Sequence, residues 1–168
     1  MDDLIFNQKK IPADQWRYGL RSSAATGCGW IATHNALHLL GYHENIPDLI
    51  SYYEHQFPLV HGTFGTTVWG PALCFHQWGF PTNLFADPRK FDAAARLAPV
   101  CILFFWWKKG PRVGAHFAAV QYRDGRFWGY NTFSDSVGPD CLGTSLQSFL
   151  TDRGYFGAVL TTIQRKNR

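Results

Sequence analysis

A β-hairpin is indicated by residues 116–131, whose sequence is HFAAVQYRDGRFWGYN. Two runs rich in aromatic and small apolar residues flank Asp124-Gly125, a dipeptide that supplies the positive φ angles of a tight two-residue turn. With these two residues as the loop, the two runs pair in antiparallel fashion. The register then predicts that His116 lies opposite Phe133 and that Asn131 lies opposite Ala118.

This register brings two polar residues together on one face of the hairpin. Asn131 is the diagonal neighbour of His116, and residues two apart on a strand point to the same side of a sheet. Diagonal neighbours are separated by about 7–8 Å, a gap that long polar side chains can close. We therefore predict that the Asn131 amide orients the His116 imidazole, with Thr132, Ser134 or Asp135 as the alternative if the strand is bulged. A slip of one residue in the turn would separate the two side chains.

The remainder of the chain divides into helices followed by strands. The predicted helices run from Cys28 to a stop at Gly41, from about Pro47 to Pro58, from about 66 to 78, from Arg89 to Leu97, and from about 144 to 152. The predicted strands outside the hairpin are Val100–Trp107, buried on both faces, and Tyr155–Ile163. Helices first and antiparallel strands afterwards indicate an α+β fold.

The length and composition are typical of one folded domain. The chain has 168 residues, of which 46% are apolar and 17% charged, and this composition excludes an intrinsically disordered protein. No internal repeat is visible, which excludes solenoids. We predict a single domain spanning residues 1–168. Residues 1–25 are expected to form an irregular lead-in, and residues 164–168 a frayed tail.

The charge and hydropathy patterns argue against nucleic acid and a lipid bilayer as partners. The net charge is +4, but the basic residues are spread thinly, as in Lys9-Lys10 and Lys108-Lys109, which disfavours nucleic-acid binding. The longest apolar run, 97–107, is too short to span a bilayer as a helix. No secretory signal is visible near Met1, so we predict a cytoplasmic protein without a membrane span.

Cys28 is the candidate nucleophile. It lies between Gly27 and Gly29 at the start of the first long helix, where the helix dipole favours a thiolate. Small neighbours leave the sulfur accessible and allow a backbone amide to face an oxyanion. The alternative is an ordinary buried cysteine. With His116 as base and Asn131 as orienting group, Cys28 completes a catalytic triad of the Cys-His type.

Several short motifs resemble those of papain-like cysteine peptidases. They are TGCGWIA at 26–32, GAHFAAV at 114–120, and Tyr130-Asn131. The similarity is closest to the compact bacterial branch that includes peptidase domains removing double-glycine leaders from bacteriocins, and residues 62–80 also resemble a segment of that branch.

The resemblance implies a papain-like domain whose N-terminal helices pack on a C-terminal antiparallel sheet. It also implies a bacterial thiol hydrolase that cleaves a peptide or amide bond through a Cys28 acyl-thioester, with His116 as base and then acid. Two alternatives stay open. One is amide or acyl transfer by the same triad, and the other is a catalytically silent module that binds a peptide or a glycan.

The chain departs from the family pattern at the oxyanion hole. Papain-like enzymes commonly carry a glutamine five or six residues before the cysteine, where this chain has Ser23 and Ser22. Gln15 lies further upstream and reaches the site only if the intervening segment loops out. These three residues are the oxyanion candidates. Trp30 is predicted to form a wall of the cleft.

Neither a metal nor a cofactor is predicted. His34 and His38 have the i, i+4 spacing of two zinc ligands on one helix face, but no third ligand is evident. The other three cysteines, Cys74, Cys101 and Cys141, have no comparable histidine nearby. No Cys-x-x-Cys spacing occurs, and all four cysteines are predicted to be free thiols.

Overall fold

The computed structural model describes residues 4–166, so the predictions for residues 1–3 and 167–168 lie outside the described residues. The helices are α1 Ser23–Thr26, α2 Cys28–Leu40, α3 Ile46–Gln56, α4 Gly70–Gln77, α5 Phe91–Arg96 and α6 Leu146–Asp152. The strands are β1 Arg17–Tyr18, β2 Arg21–Ser22, β3 Thr82–Phe85, β4 Val100–Lys109, β5 Arg112–Arg123, β6 Arg126–Tyr130, β7 Asp140–Gly143 and β8 Gly157–Ile163.

A six-stranded antiparallel sheet forms the centre of the molecule. Its strand order is β3-β8-β4-β5-β6-β7, so β4 and β5 lie in the middle. Helix α2 packs on one face, where Ala32 and Ala36 join a core cluster with Phe117 and Ala119 of β5. A second cluster includes Phe105 of β4 and residues of α5 and α6. The predicted α+β class is confirmed, and so is the burial of the first part of β4 on both faces.

Helix α2, which begins at Cys28, follows its sequence signals. It ends at Leu40. The next residue, Gly41, has a left-handed φ of 86° and donates its N–H to the carbonyls of Leu37 and His38. Only a residue without Cβ adopts that conformation at little cost, which explains the stop. Both predicted ends of this helix are confirmed.

The predicted hairpin register is also confirmed, but the ladder is shorter than expected. Arg123 pairs with Arg126, and the pairing continues to Ala119 and Tyr130. There β6 ends. Asn131 has a φ of 59°, a left-handed conformation that turns the chain out of the strand. Asn131 therefore does not pair with Ala118, and this part of the prediction was wrong.

The third and fourth helices differ from their predicted bounds. Helix α4 begins at Gly70 because Pro71 occupies its first turn, where a missing N–H costs nothing. Thr66, inside the predicted helix, instead donates a hydrogen bond to the Tyr18 hydroxyl. The predicted helix from Arg89 is split into a 3₁₀ turn, Pro88–Lys90, and the short α5.

Two edge strands were not predicted. Strand β3 has two exposed residues at its centre, and β7 buries only Leu142. Neither shows the alternation of buried and exposed residues that marks a strand with one apolar face.

Both ends of the described chain are more ordered than predicted. Residues 1–25 were expected to be irregular, but the described part contains the β1–β2 pair, α1 and a 3₁₀ turn at Gln8–Lys10. At the other end, the Gln164 N–H donates to the Pro81 carbonyl at 2.9 Å, and Arg165 donates to the Leu40 carbonyl at 2.9 Å. The predicted frayed tail is therefore wrong for residues 164–166.

Candidate active site

Cys28 is half-buried at the first position of α2. Burial raises the pKa of its thiol, because the charged thiolate loses its hydration. The main-chain N–H groups of Phe117, Cys28 and Gly29 act in the opposite direction, since each can donate to the sulfur. Burial dominates, so the pKa lies above the ordinary value of 9.0. At neutral pH the resting side chain is a protonated thiol.

The glycines beside Cys28 allow neighbouring residues to pack closely against the start of α2. A Cβ at Gly29 would lie 2.4 Å from Oγ1 of Thr66, and a Cβ at Gly27 would lie 2.6 Å from the Ser23 carbonyl oxygen. Both distances are far shorter than van der Waals contact. The sequence-based interpretation, that glycines keep the sulfur accessible, missed this reason for their presence.

His116 lies on β5, next to the residue whose amide faces the sulfur. Its Nε2 is 2.5 Å from the Asn131 carbonyl oxygen. A carbonyl only accepts, so Nε2 carries the proton, and the neutral ring has its lone pair on Nδ1. Burial lowers the pKa of the imidazole, and the Lys9 ammonium lowers it further, while the bond to Asn131 raises it. The ring is neutral at physiological pH.

Asn131 orients the ring through its backbone, whereas its side chain has another partner. Oδ1 of Asn131 accepts from the Gln8 main-chain N–H at 2.8 Å, and Nδ2 donates to Oε1 of Gln8 at 3.1 Å. The prediction that the side-chain amide of Asn131 contacts the imidazole is therefore wrong. The residue that meets the ring is the predicted one, but it does so by a carbonyl.

This geometry makes a testable prediction about Asn131. Replacing it with alanine removes two buried hydrogen bonds. It also leaves a residue with an apolar side chain in the left-handed conformation, and together these effects lower the free energy of unfolding by about 2–4 kcal/mol. Asn131→Gly keeps the backbone conformation and loses only the side-chain bonds. We expect urea unfolding to show that the glycine variant is the more stable of the two. Equal stabilities would contradict a role for the left-handed backbone.

The sulfur and the imidazole lie on neighbouring parts of the structure without a direct bond. Cys28 meets the amide of Phe117, and His116 is the residue before it. Within residues 4–166, no hydrogen bond joins Sγ of Cys28 to the ring. Both groups are neutral at rest, which removes the Coulombic attraction that would draw a thiolate and an imidazolium together.

The predicted oxyanion candidates lie in different surroundings. Gln15 is exposed, in a turn closed by the Pro12 carbonyl. Ser23 is fully buried, and its hydroxyl accepts from Nε1 of Trp30 at 3.2 Å. Ser22 precedes α1, and its hydroxyl makes no capping hydrogen bond. None of the three lines the cavity beside His116.

A different glutamine reaches the site. Gln8 is buried, contacts Asn131 as described, and donates from Nε2 to the Ala24 carbonyl at 3.2 Å, three residues before Gly27. Sequence reasoning missed Gln8 because β1, β2 and α1 intervene before Cys28, placing it far outside the expected window. Its residue type is the sole sequence signal that marks it.

A cavity of about 620 Å³ lies beside the imidazole. Its lining residues come from the N-terminal segment, α1, the β4–β5 hairpin, the loop after β6 and the segment before β8. They are Asn7, Gln8, Lys9, Ala25, Phe105, Trp107, Ala115, His116, Asn131, Thr132, Phe133, Ser134, Asp135, Arg153 and Tyr155. The imidazole thus faces a space large enough for a peptide segment.

The comparisons with known proteins agree with this architecture. No family model matches the chain, and no curated protein matches it. Among solved structures, the peptidase domain of Streptococcus ComA, a bifunctional ABC transporter, has a TM-score of 0.54 and 17% identity, covering 82% of this chain and 91% of that domain. A double-glycine motif protease from an AMS/PCAT transporter, solved with its leader peptide, has a TM-score of 0.55 and 11% identity, covering 93% and 96%. The fold is papain-like.

Trp30 occupies the core of this papain-like domain. It is fully buried, donates to Ser23, and meets Trp16 edge to face with ring centroids 5.8 Å apart. The prediction that it walls the cleft was wrong. Helix α2 is buried on nearly every side, so a position on it close to Cys28 does not imply access to the cleft. The tryptophan that lines the cavity is Trp107.

The histidine pair of α2 belongs to a cluster of three rings that meet at tilted and edge-to-face angles. The rings of His34 and His38 have centroids 4.4 Å apart, and His43 meets His38 at 4.5 Å. Among residues 4–166, no group of three or more His, Cys, Asp or Glu side chains is arranged to hold a metal ion. None of the helices in the same range is long and apolar enough to cross a membrane.

All four cysteines of the papain-like domain are free, as predicted. Burial raises the pKa of the Cys74 and Cys101 thiols, which fits structural cysteines. Cys141 differs because it is exposed. The Gly143 amide and then the Arg126 guanidinium lower the pKa of its thiol. Any chemical test of Cys28 must therefore remove Cys141 first.

Proposed function

We propose that the chain is a cysteine peptidase or amidase with Cys28 as nucleophile and His116 as base. One observation carries the proposal: Nε2 of His116 donates to the Asn131 carbonyl, which leaves the lone pair on Nδ1. The ring is thus fixed in the tautomer that accepts a proton, one residue from the amide that faces the sulfur. The papain-like fold supports the same assignment.

The reaction follows from these roles. As Sγ of Cys28 attacks the substrate carbonyl carbon, the thiol proton moves to Nδ1 of His116 and the carbonyl π electrons move to oxygen. The oxyanion then collapses, the C–N bond breaks, and the imidazolium returns the proton to the leaving amine. Water attacks the acyl-thioester with His116 again as base, which releases the acid and restores the thiol. The Asn131 carbonyl stabilises the imidazolium in both halves.

Gln8 is the proposed oxyanion donor. Its Nε2 has two N–H bonds, of which one is directed to the Ala24 carbonyl, so the second is left for the oxyanion. Donors of this kind contribute about 2.7–4 kcal/mol to the transition state of acyl transfer. Gln8 replaces Gln15, Ser22 and Ser23 in this role.

The proposed substrate is a peptide. The double-glycine motif protease of the same fold was solved with a leader peptide bound. The cavity beside His116 is lined by residues from several elements. Amide transfer uses the same first half-reaction, with an amine in place of water. Hydrolysis takes its acceptor, water, from the solvent and is the reaction that we propose.

Alkylation tests the assignment in a chain carrying Cys141→Ser. We expect iodoacetamide at pH 7 to label Cys28 about a hundredfold faster than in the additional His116→Ala variant, because a positioned base contributes about 10²–10⁴-fold to proton transfer. Peptide mapping by mass spectrometry follows Cys28, Cys74 and Cys101 separately. His76→Ala, on the exposed side of α4, is the matched control and leaves the rate unchanged.

The second candidate is a peptide-binding module without turnover. It is favoured by the absence of a hydrogen bond between Sγ of Cys28 and the imidazole within residues 4–166. The same experiment separates the two candidates. Equal labelling of Cys28 with and without His116 supports the binding module and overturns the peptidase.

A further inference from the structure

The cavity beside His116 combines an aromatic wall with two cations. Its rings are in mutual contact: Phe105 and Tyr155 have centroids 4.7 Å apart, and Trp107 and Tyr155 have centroids 6.0 Å apart. Lys9 and Arg153 line the same space. The apolar surface suits a bulky side chain, and the cations suit an anion beside it.

Arg153 is held in place by stacking while its hydrogen-bond donors remain unused. Its guanidinium carbon lies 4.3 Å from the centre of the Phe133 ring and 5.8 Å from that of Phe149. Within residues 4–166, its side chain makes neither a hydrogen bond nor an ion pair. A guanidinium presents donors in a planar fork that matches a carboxylate with two parallel bonds. Stacking reduces the entropy lost when such a group binds a ligand.

Lys9 is the second cation, and it is anchored near the reacting groups. It follows Gln8, whose side chain and main chain bind Asn131, and its own N–H donates to Oδ1 of Asn7 at 2.9 Å. Its charge acts on both Cys28 and His116. The one carboxylate in the lining, Asp135, is exposed and forms no ion pair with either cation within the described residues.

We infer that this cavity binds a carboxylate that the substrate carries next to a bulky apolar side chain, with Arg153 as the anchor and Lys9 as the second cation. The inference rests on the proposed function, because it makes the cavity a specificity subsite of the same active site. The carboxylate is either an acidic side chain or the C-terminus of a peptide, and the two sources share this chemistry.

Calorimetry with three peptides on the Cys28→Ser chain tests the inference without requiring turnover. The probes are acetyl-Leu-Phe-Glu-amide, acetyl-Leu-Phe-Gln-amide and acetyl-Leu-Phe-Gln with a free C-terminus. A charge-assisted hydrogen bond increases affinity about tenfold to a hundredfold, so we expect at least one carboxylate peptide to bind at least tenfold more tightly than the neutral amide. The Glu-amide probe reports on a side chain, and the free acid on a C-terminus.

Variants assign the preference to the two cations. Arg153→Gln is expected to remove most of the preference for the carboxylate, and Lys9→Gln part of it. Arg112→Gln at the exposed tip of the β4–β5 hairpin changes the net charge equally and is expected to leave the preference intact. Equal binding of all three peptides, or a preference that survives Arg153→Gln, overturns the inference. Neither result depends on the alkylation of Cys28, so the proposed function is tested independently of this inference.

Discussion

Peptide hydrolysis by the His116→Ala variant is expected to be about 10²–10⁴-fold slower than that by the natural chain at pH 7, because in the proposed mechanism His116 accepts the thiol proton and protonates the leaving amine. Burial raises the pKa of the Cys28 thiol, so the side chain is protonated at pH 7 without assistance. The contribution of His116 is therefore large.

The pH dependence of this reaction follows from the two shifted groups. The reaction requires the protonation state in which the thiol and the imidazole together carry one titratable proton, on the sulfur of Cys28 at rest. The pKa of His116 is lowered from 6.5, so the midpoint of the acidic limb is expected below pH 6.5. The pKa of Cys28 is raised from 9.0, so the midpoint of the alkaline limb is expected above pH 9. We expect a bell-shaped profile of kcat/KM whose two midpoints lie outside this interval, as a property of the coupled pair.

The variant gives a different profile. With alanine at 116, the thiolate is the only nucleophile, and its fraction rises about tenfold for each pH unit up to the thiol pKa. The rate is measured on a mixture of internally quenched peptides between pH 5 and pH 10. His76→Ala serves as the control. A plateau near neutral pH that persists in His116→Ala, in place of this continuous rise, would assign the acidic titration to another group and exclude His116 as the base.

The elements that the sequence predicted well are those fixed by neighbouring residues. The turn at Asp124-Gly125 sets the hairpin register because its geometry depends on the two residues themselves. Gly41 ends α2 for an equally local reason. The pairing of Cys28 with His116 stays a prediction, which the sequence makes from two short motifs, one at a helix start and one on a strand.

The parts that the sequence did not predict depend on distant contacts. The side chain of Asn131 bonds to Gln8, a residue 123 positions away, and no local pattern marks that pair. Asn7 likewise donates to the Ser134 carbonyl at 2.9 Å, across 127 positions in sequence. These amide side chains hold the N-terminal segment against the site, so a region without hydrophobic periodicity is nevertheless ordered.

The Trp30→Ala substitution is expected to lower the free energy of unfolding by about 3–5 kcal/mol, a large share of the roughly 5–15 kcal/mol of a typical domain. Trp30 is fully buried in a core cluster with Tyr18 and Tyr53. Its removal leaves a cavity, takes the edge-to-face partner from Trp16, and leaves the Ser23 hydroxyl without its donor. Urea unfolding followed by far-UV circular dichroism measures the loss without depending on tryptophan fluorescence.

Trp107→Ala is the matched control, because Trp107 is half-buried and lines the cavity beside His116. It is expected to lose less than half as much stability and to bind peptides more weakly, since its ring borders the ligand space. Trp30→Phe keeps an aromatic ring in the core and loses the N–H, so its stability is expected between those of the natural chain and Trp30→Ala. A Trp30→Ala chain that keeps its stability but loses peptide binding would place Trp30 in the cleft wall after all, and would require the start of α2 to open where this structure has it closed.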